Sequence, residues 1–332
     1  MKSFVKVNNG CFPNVNFYLA WEAFIQMGYS VTLFEEKDID TLDITVDTPV
    51  FAGVTVFRKV IEKLGINYPP FDCYPKVLNP YYRRKIEVST LGEVRKKFLA
   101  DDIRTESKSV FVKPIKPKEF TGVVLNSILN LIPLAHKSDD IPVYVCEPME
   151  ILSEFRVYVH DGDILGIKHY YGEWNFVPDK RFVEDVIRNY KSCPIAYGID
   201  IGVNDTGGKK TINGDWSYYD SSFVLEVNDG CNLGNYGLDS IYYGEMIVAR
   251  WFEIMANHKV ENEIEKISDN FKGTKYEKEY TKDSFDKPMS EWGSVFSRKE
   301  LMLKSQLKIA REESMKSFAD GVMKQLKEEK ST

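Results

Sequence analysis

The apolar positions of the first eighty residues alternate between two periods. Residues 3–7 form a short apolar run that reads as a strand. Residues 14–27 then place Val15, Tyr18, Leu19, Ala23, Phe24 and Met27 at the spacing of a helix face, and Gly28 stands where a C-cap belongs. Residues 31–34 return as a strand, 49–52 read as a buried strand, and 55–64 read as a helix ended by Gly65. Strands alternating with helices predict a small parallel α/β sheet.

A connection rich in Pro, Tyr and Asn spans 67–80, and a β-rich stretch follows at 110–113, 121–124, 143–145, 155–160 and 164–170. Asp161-Gly162-Asp163 between the last two is a hairpin signal, because Asp-Gly tolerates the positive φ of a tight turn. Residues 182–190 read as a helix, and 195–201 and 223–227 as buried strands separated by a polar excursion over 202–222. A helix with Trp251 and Phe252 near its end closes this part. From about residue 261 the composition turns to Lys and Glu, and 297–329 reads as a long amphipathic helix. Ser297 and Glu300 match a capping box, and Leu303, Leu307, Ala310, Phe318, Val322 and Leu326 form its stripe. That stripe suits packing on the body or pairing with another subunit. The pattern predicts a mixed α/β (α+β) protein with a parallel lobe over 1–80, a β-rich domain over 81–256 and a charged helical extension over 257–332.

Composition narrows the function classes. The five cysteines are dispersed without a CxxC pair, and the four histidines form no HxxxH pair, which favours free thiols in a reducing compartment over a disulfide framework or a zinc site. The start lacks the apolar core of a signal peptide, and no apolar run approaches the roughly 18 residues of a membrane span, so a cytoplasmic location is expected. A net charge of -6 gives no support to broad nucleic-acid binding, although Arg83, Arg84 and Lys85 make a local basic strip.

Three separated patches carry candidate chemistry. The first is Phe111-Val112-Lys113-Pro114, where a strand lysine offers a compact charge to a nucleotide phosphate; its bland alternative is an edge lysine that snorkels to solvent. The second runs from Val143 through Cys146, Glu147 and Glu150 to Glu154-Phe155-Arg156. An apolar strand ending in polar backbone can meet an adenine edge, and an acid just downstream can accept ribose hydroxyls. Arg156 lies between apolar neighbours and needs an anion, either a substrate phosphate or an acid such as Glu154. The third patch is Tyr197-Gly198-Ile199-Asp200 followed by Glu226-Val227-Asn228-Asp229-Gly230. A strand's period of two puts Glu226 and Asn228 on one face, and Asp200 on a neighbouring strand completes a set of hard oxygen donors suited to Mg²⁺. The alternative is a turn, for which Asn-Asp-Gly is itself a signal.

In order and spacing these patches resemble the ATP-grasp superfamily over residues 82–255, closest to an Arg- and Lys-rich clade found in bacteriophages and bacteria to which peptide-bond-forming ligases are ascribed. The segments EFRVYVHDGDILG and VLEVNDGCNLGNYG carry the likeness. The resemblance implies that ATP lies between two β-rich lobes. Lys113 would meet the phosphates, Cys146 and Glu147 the adenine, and Glu150 the ribose, while Asp200, Glu226 and Asn228 would hold Mg²⁺. Arg156 would stabilise the transferring phosphoryl group, and Lys168 and Tyr170 would line the same cleft. The second phosphate-binding residue is assigned to Lys85, with Arg84 as the alternative, and the short 116–122 segment departs from the usual glycine-rich loop. The implied reaction joins a carboxylate to an amine, on an amino acid, a peptide or a protein terminus, through an acyl-phosphate. A phosphotransferase and a nucleotide-binding module without turnover are the alternatives. No general base is identifiable, since alternation turns His169 away from Lys168 and Tyr170.

Overall fold

The computed structural model describes residues 1–100, 109–116, 119–205, 209–210, 216–217 and 219–271. The helix expected over 297–329 lies outside them, as do residues 117–118 of the expected phosphate loop. Among the described residues the chain forms two compact units that interleave in sequence: Met1–Tyr68 with Pro194–Ala196 and residues 230–271, and Pro69–Cys193 with Tyr197–Asp229.

The first unit is built on a three-stranded parallel sheet of order β2-β1-β3, with β1 Lys2–Lys6, β2 Ser30–Phe34 and β3 Val50–Phe51. Helix α1 (Val15–Gln26) is capped by Asn14, whose side chain accepts from the Asn16 N–H at 3.0 Å, and it ends at Gly28, φ +78°. Its buried residues Phe17, Ala20, Ala23 and Phe24 recur at helical spacing. Helix α2 (Val54–Lys63) stops before Gly65, φ +71°. The core joins Phe4, Val50, Phe57 and Ile61 to Trp251, which is fully buried and donates its indole N–H to the Val46 carbonyl at 2.9 Å.

The second unit holds two antiparallel four-stranded sheets. One has the order β4-β7-β5-β6, with β4 Ile86–Thr90, β5 Val110–Pro114, β6 Val123–Leu125 and β7 Pro142–Cys146. Helix α3 (Leu91–Ala100) covers one face, where Leu91, Val94, Val112, Leu125 and Val143 are buried together. The other sheet has the order β13-β10-β8-β9, with β8 Ser153–His160, β9 Asp163–Gly172, β10 Ala196–Val203 and β13 Ser222–Asp229. Asp161 and Gly162 turn the β8–β9 hairpin with φ of +50° and +85°, as the Asp-Gly signal requires. Helix α4 (Lys180–Asn189) buries Phe182, Val183 and Val186 against Val157, Val159, Ile199, Ile201 and Val227. A two-residue pair, β11 (Lys209–Lys210) and β12 (Trp216–Ser217), lies in the polar excursion.

The expected mixed fold, with a parallel sheet and two β-rich layers, is the observed one. Two elements correct the sequence reading. Helix α5 does not end near Trp251 and Phe252 but runs Ser240–Phe271, because no Gly or Pro interrupts residues 253–271. Strand β4 and helix α3 fall in a region where no element was expected; β4 is an edge strand with Val88 68% exposed, so it carries little apolar alternation. All five cysteines are free, and no helix among the described residues is long and apolar enough to cross a membrane.

Ile199, fully buried between β10 and α4, is expected to cost about 2–5 kcal/mol when cut to Ala. Ile164→Ala, on the exposed edge of β9, should stay within about 0.5 kcal/mol, and urea melts followed by tryptophan fluorescence and circular dichroism would read both.

Candidate functional site

Strand alternation divides each sheet of the second unit into an apolar face and a polar one. On β10, Tyr197, Ile199 and Ile201 enter the core, so Gly198 and Asp200 face the other way; on β8 the core takes Val157 and Val159, leaving Glu154 and Arg156 opposite. On β5 Val112 enters its own core while Phe111 and Lys113 face outward with Tyr144 and Cys146 of β7, their register partners in crossed order. A cavity of about 290 Å³ lies between these two polar faces, close to the lower end of the roughly 300–1,000 Å³ usual for small-molecule sites. Its walls are Phe111, Lys113, Val124 and Cys146 from one sheet and Glu154, Tyr170, Asp200, Leu225 and Glu226 from the other, joined by Tyr74, Arg84 and residues 147–149 and 151.

The link from β7 to β8 is a stretch of free backbone. Among the described residues, the N–H groups of 147, 149, 150 and 151 donate to no backbone carbonyl, whereas Leu152 already bonds Val203 at 2.9 Å. Unclaimed backbone donors beside Met149 and Ile151 suit a planar heterocycle with edge acceptors.

Arg156 and Asp200 form the buried centre of the polar face. Nε and Nη2 of Arg156 donate to the two Asp200 carboxylate oxygens at 2.7 Å each, with side-chain exposures of 7% and 4%. Asn228 adds a third donor, Nδ2 to Asp200 Oδ2 at 3.1 Å. Gly198 makes the arrangement possible: a Cβ there would come within 3.3 Å of Arg156 Cδ.

Across the cavity Lys113 pairs with Glu226, which stands directly opposite Asp200 on β13. Burial lowers the Lys113 pKa, Arg84 and Arg156 push the same way, and Cys73 and Asp200 oppose them. Its ammonium lies 5.5 Å from the Tyr74 ring.

Two bulges re-aim side chains toward the cavity. On β13, Asp200 pairs with Glu226 but Ile201 pairs with Val224, so Leu225 is extra. Arg84 takes the carbonyls exposed there, donating to Val224 O at 3.0 Å and Leu225 O at 2.9 Å, and to Tyr82 O at 3.0 Å. On β9, Glu154 pairs with Tyr171 and Phe155 with His169, which leaves Tyr170 extra, and its hydroxyl donates to Glu154 Oε2 at 2.6 Å. Burial raises the Glu154 pKa, with Asp200 adding to the shift; the Tyr170 hydrogen bond and Arg156 oppose it.

Of the residues singled out in the sequence, Lys113, Cys146, Glu147, Tyr170, Asp200 and Glu226 line the cavity. Arg156 and Asn228 stand behind it, each bonded to Asp200. Lys168 is the cross-strand partner of Arg156 and does not line it. Glu150 is exposed off the cavity, and Lys85 is 80% exposed and paired with Glu87. Among the polar lining residues, Glu154, Arg84 and Tyr74 are those to which the sequence reading gave no role or only an alternative one. His169 turns to the opposite face, its ring 5.0 Å from Phe155.

The donor set fits a hard divalent cation. Asp200 and Glu226 are register partners, and Asn228, its amide nitrogen turned to Asp200, keeps a carbonyl oxygen available. Among the described residues no group of three or more His, Cys, Asp or Glu side chains is placed to hold a metal, so two acids and an amide would need phosphate oxygens or water to complete the shell, as Mg²⁺ prefers.

The sequence matches a family described as "ATP-grasp domain, R2K clade family 2" over residues 81–246, half of the 332-residue chain. The chain belongs to the ATP-grasp superfamily. Both polar faces and the whole cavity, apart from Tyr74, fall within the matched residues of this ATP-grasp protein. No curated protein matches its sequence significantly. Solved structures similar to it include D-alanine–D-alanine ligase from Bacillus anthracis, at 14% identity and TM-score 0.46 over 77% of this chain and 98% of that one. A RimK domain ATP-grasp protein from Sphaerobacter thermophilus DSM 20745 is similar at 12% identity and TM-score 0.48 over 75% and 98%. D-cycloserine synthetase DcsG is similar at 13% identity and TM-score 0.48 over 76% and 100%.

Replacing Arg156 by Met strands a buried carboxylate and is expected to cost about 3–5 kcal/mol. Adding Asp200→Asn should recover much of that loss, and a double-mutant cycle by urea denaturation measures the coupling. Glu154 gives a pH test. Because its folded pKa is raised, the folded state holds a proton that the unfolded chain has released, so stability falls as pH rises above the ordinary value of 4.5. Glu154→Gln lacks this dependence, so its stability advantage should grow with rising pH and then level off. A constant offset between the two urea midpoints from about pH 4 to 7 would refute the account.

Proposed function

We propose that this protein is an ATP-dependent carboxylate–amine ligase working through an acyl-phosphate. The observation that carries the reading is the pairing of opposite charges at one small cavity: Lys113 with Glu226 in its wall, and Asp200 of the wall with Arg156 behind it, beside a segment of unclaimed backbone donors. In this reading adenine meets residues 146–149, and the ribose hydroxyls donate to Glu154 in place of the exposed Glu150. Lys113 and Arg84 receive the phosphates. Phosphate oxygens compete with Glu226 for Lys113, and a Glu226 released from that pair has its carboxylate oxygens free for a divalent cation.

Asp200, Glu226 and Asn228 would hold Mg²⁺, which when bound neutralises the triphosphate and polarises the γ-phosphoryl group. Arg156 acts through Asp200, fixing the carboxylate orientation with two bonds rather than reaching the phosphate with them. A substrate carboxylate oxygen attacks the γ-phosphorus, the bond to the β-phosphate oxygen breaks, and ADP leaves. The neutral amine then attacks the acyl carbon, phosphate departs with the C–O electron pair, and the nitrogen gives up one proton to the departing phosphate. Repulsion between carboxylate and triphosphate is the main obstacle, so charge neutralisation and positioning are the protein's contribution. The domain limits 1–80, 81–256 and 257–332 belong to the same reading, with the middle segment carrying the nucleotide site.

The test is release of ADP and free phosphate from Mg-ATP in the presence of amino-acid and peptide pools. Equimolar ADP and phosphate, with a product mass equal to two substrates minus water, are expected. Glu226→Gln should lower turnover on the order of 100-fold or more. ADP with the phosphate retained on one acceptor would instead make the protein a kinase, and absence of ATP binding by the folded protein would overturn the nucleotide reading.

A further inference from the structure

The two ion pairs of the cavity differ in where their cations stand. Arg156 holds Asp200 from behind, and that pair is buried, with side-chain exposures of 7% and 4%. Lys113 stands in the cavity wall, on β5 of one sheet, and reaches Glu226 on β13 of the other. Both side chains of this second pair are 25% exposed, so either can turn to a ligand without entering the core. Among the described residues, the Lys113 ammonium and the Glu226 carboxylate have each other as their only hydrogen-bond partner. The Tyr74 ring, 5.5 Å from the ammonium, adds a cation–π contact but no opposite charge.

This exclusive pairing couples two kinds of ligand through charge. An anion that takes Lys113 leaves Glu226 without a counter-charge, directly opposite Asp200 and on the same strand face as Asn228. A divalent cation taken up alone would leave Lys113 unpaired beside it, and the like charges repel. Each ligand therefore lowers the cost of binding the other. Such coupling is reciprocal: the factor by which phosphate raises cation affinity is the factor by which the cation raises phosphate affinity. Asp200 escapes the exchange, because its own cation donates to both carboxylate oxygens and does not line the cavity.

We propose that Lys113 gates the cation site: it occupies Glu226 in the empty protein, which therefore holds a divalent cation poorly, and a nucleotide phosphate opens the site by drawing the lysine away. The inference rests on the ligase reading for the presence of nucleotide and cation in this cavity. It adds a second role for Lys113, that of blocking the cation site until phosphate is bound.

The test measures binding by the full chain, without turnover. Mn²⁺, followed by its electron paramagnetic resonance signal, serves as the cation, and ADP as the nucleotide. Without nucleotide, Lys113→Met should bind Mn²⁺ roughly 5- to 150-fold more tightly than the wild type, the usual range of coupling between sites. Arg84→Met removes another positive charge from the cavity wall, one bonded to carbonyls and not to Glu226, and should change Mn²⁺ affinity far less. From the other side, Glu226→Gln should bind ADP in EDTA more tightly than the wild type, because Lys113 no longer leaves an anion to meet the phosphates. Circular dichroism checks that each variant is folded. No gain in Lys113→Met, or an equal gain in Arg84→Met, would overturn the gate. Should either of those variants fail to fold, Glu226→Gln that binds metal-free ADP no better than the wild type overturns it independently. Wild-type protein that binds no ADP, with or without Mn²⁺, defeats the ligase reading itself, whereas ADP binding with unchanged variants defeats only the gate.

Discussion

The arrangement of the cavity depends on one buried ion pair. Asp200 is removed from water almost completely, a cost of several kcal/mol for an isolated carboxylate, and Arg156 offsets that cost by meeting both its oxygens. Such a pair adds little net stability over an apolar substitute, so its value lies in fixing orientation. It sets Asp200 on the polar face of β10, opposite Glu226 and bonded to Asn228, which gathers three oxygen-bearing side chains in one place. Gly198 is part of the same constraint. A Cβ at that position would lie 3.3 Å from Arg156 Cδ, a tight contact against the stem that carries the fork.

Charge accounting then separates the residues that hold the site from those available to a ligand. Asp200 is matched by Arg156, and Glu226 by Lys113. Of the charged lining residues that remain, Glu147 is exposed, while Arg84 and Glu154 have neutral partners. Arg84 donates to the carbonyls of Tyr82, Val224 and Leu225, and Glu154 accepts from the Tyr170 hydroxyl. A guanidinium on neutral acceptors projects positive potential, and a half-buried carboxylate on one hydroxyl keeps lone pairs for further donors. The first suits phosphate and the second suits sugar hydroxyls. Lys113 belongs to both groups, because burial already weakens its charged state and a phosphate would relieve that burden better than the single Glu226.

Much of this was legible in the chain. Apolar positions at intervals of two gave the strands, and the helix punctuation of Gly28 and Gly65 held because both need positive φ. Glu226 and Asn228 alternate with Val227, so their shared face followed from strand geometry alone, and Asp200 followed from its apolar neighbours on β10. The β8–β9 turn was readable because Asp-Gly is a local signal that no tertiary contact has to support. Strand β4 was not, because as an edge strand it exposes Val88 and shows little alternation, and α5 was cut short because Trp251 and Phe252 look like a helix end only when the uninterrupted residues beyond are ignored.

What escaped the sequence has a common cause: the direction of a side chain belongs to a pair of strands and not to one. Arg83, Arg84 and Lys85 are consecutive bases with three fates. Arg83, at φ +54°, places its guanidinium 5.7 Å from the rings of Phe182 and Tyr219; Arg84 reaches the bulged edge of β13; Lys85 turns to Glu87 in solvent. Nothing in the tripeptide selects Arg84. The selection is made by the extra residue Leu225, which leaves carbonyls on β13 that only a planar fork of donors can take together. Glu154 and Glu150 differ in the same way. Both come after β7 in the chain, but Glu150 lies in the link while Glu154 is on β8, whose partner β9 carries a bulge that brings the Tyr170 hydroxyl onto it. A bulge on one strand is invisible in the periodicity of its neighbour, so it can move a residue into a site without leaving any mark on that residue's own surroundings in the sequence.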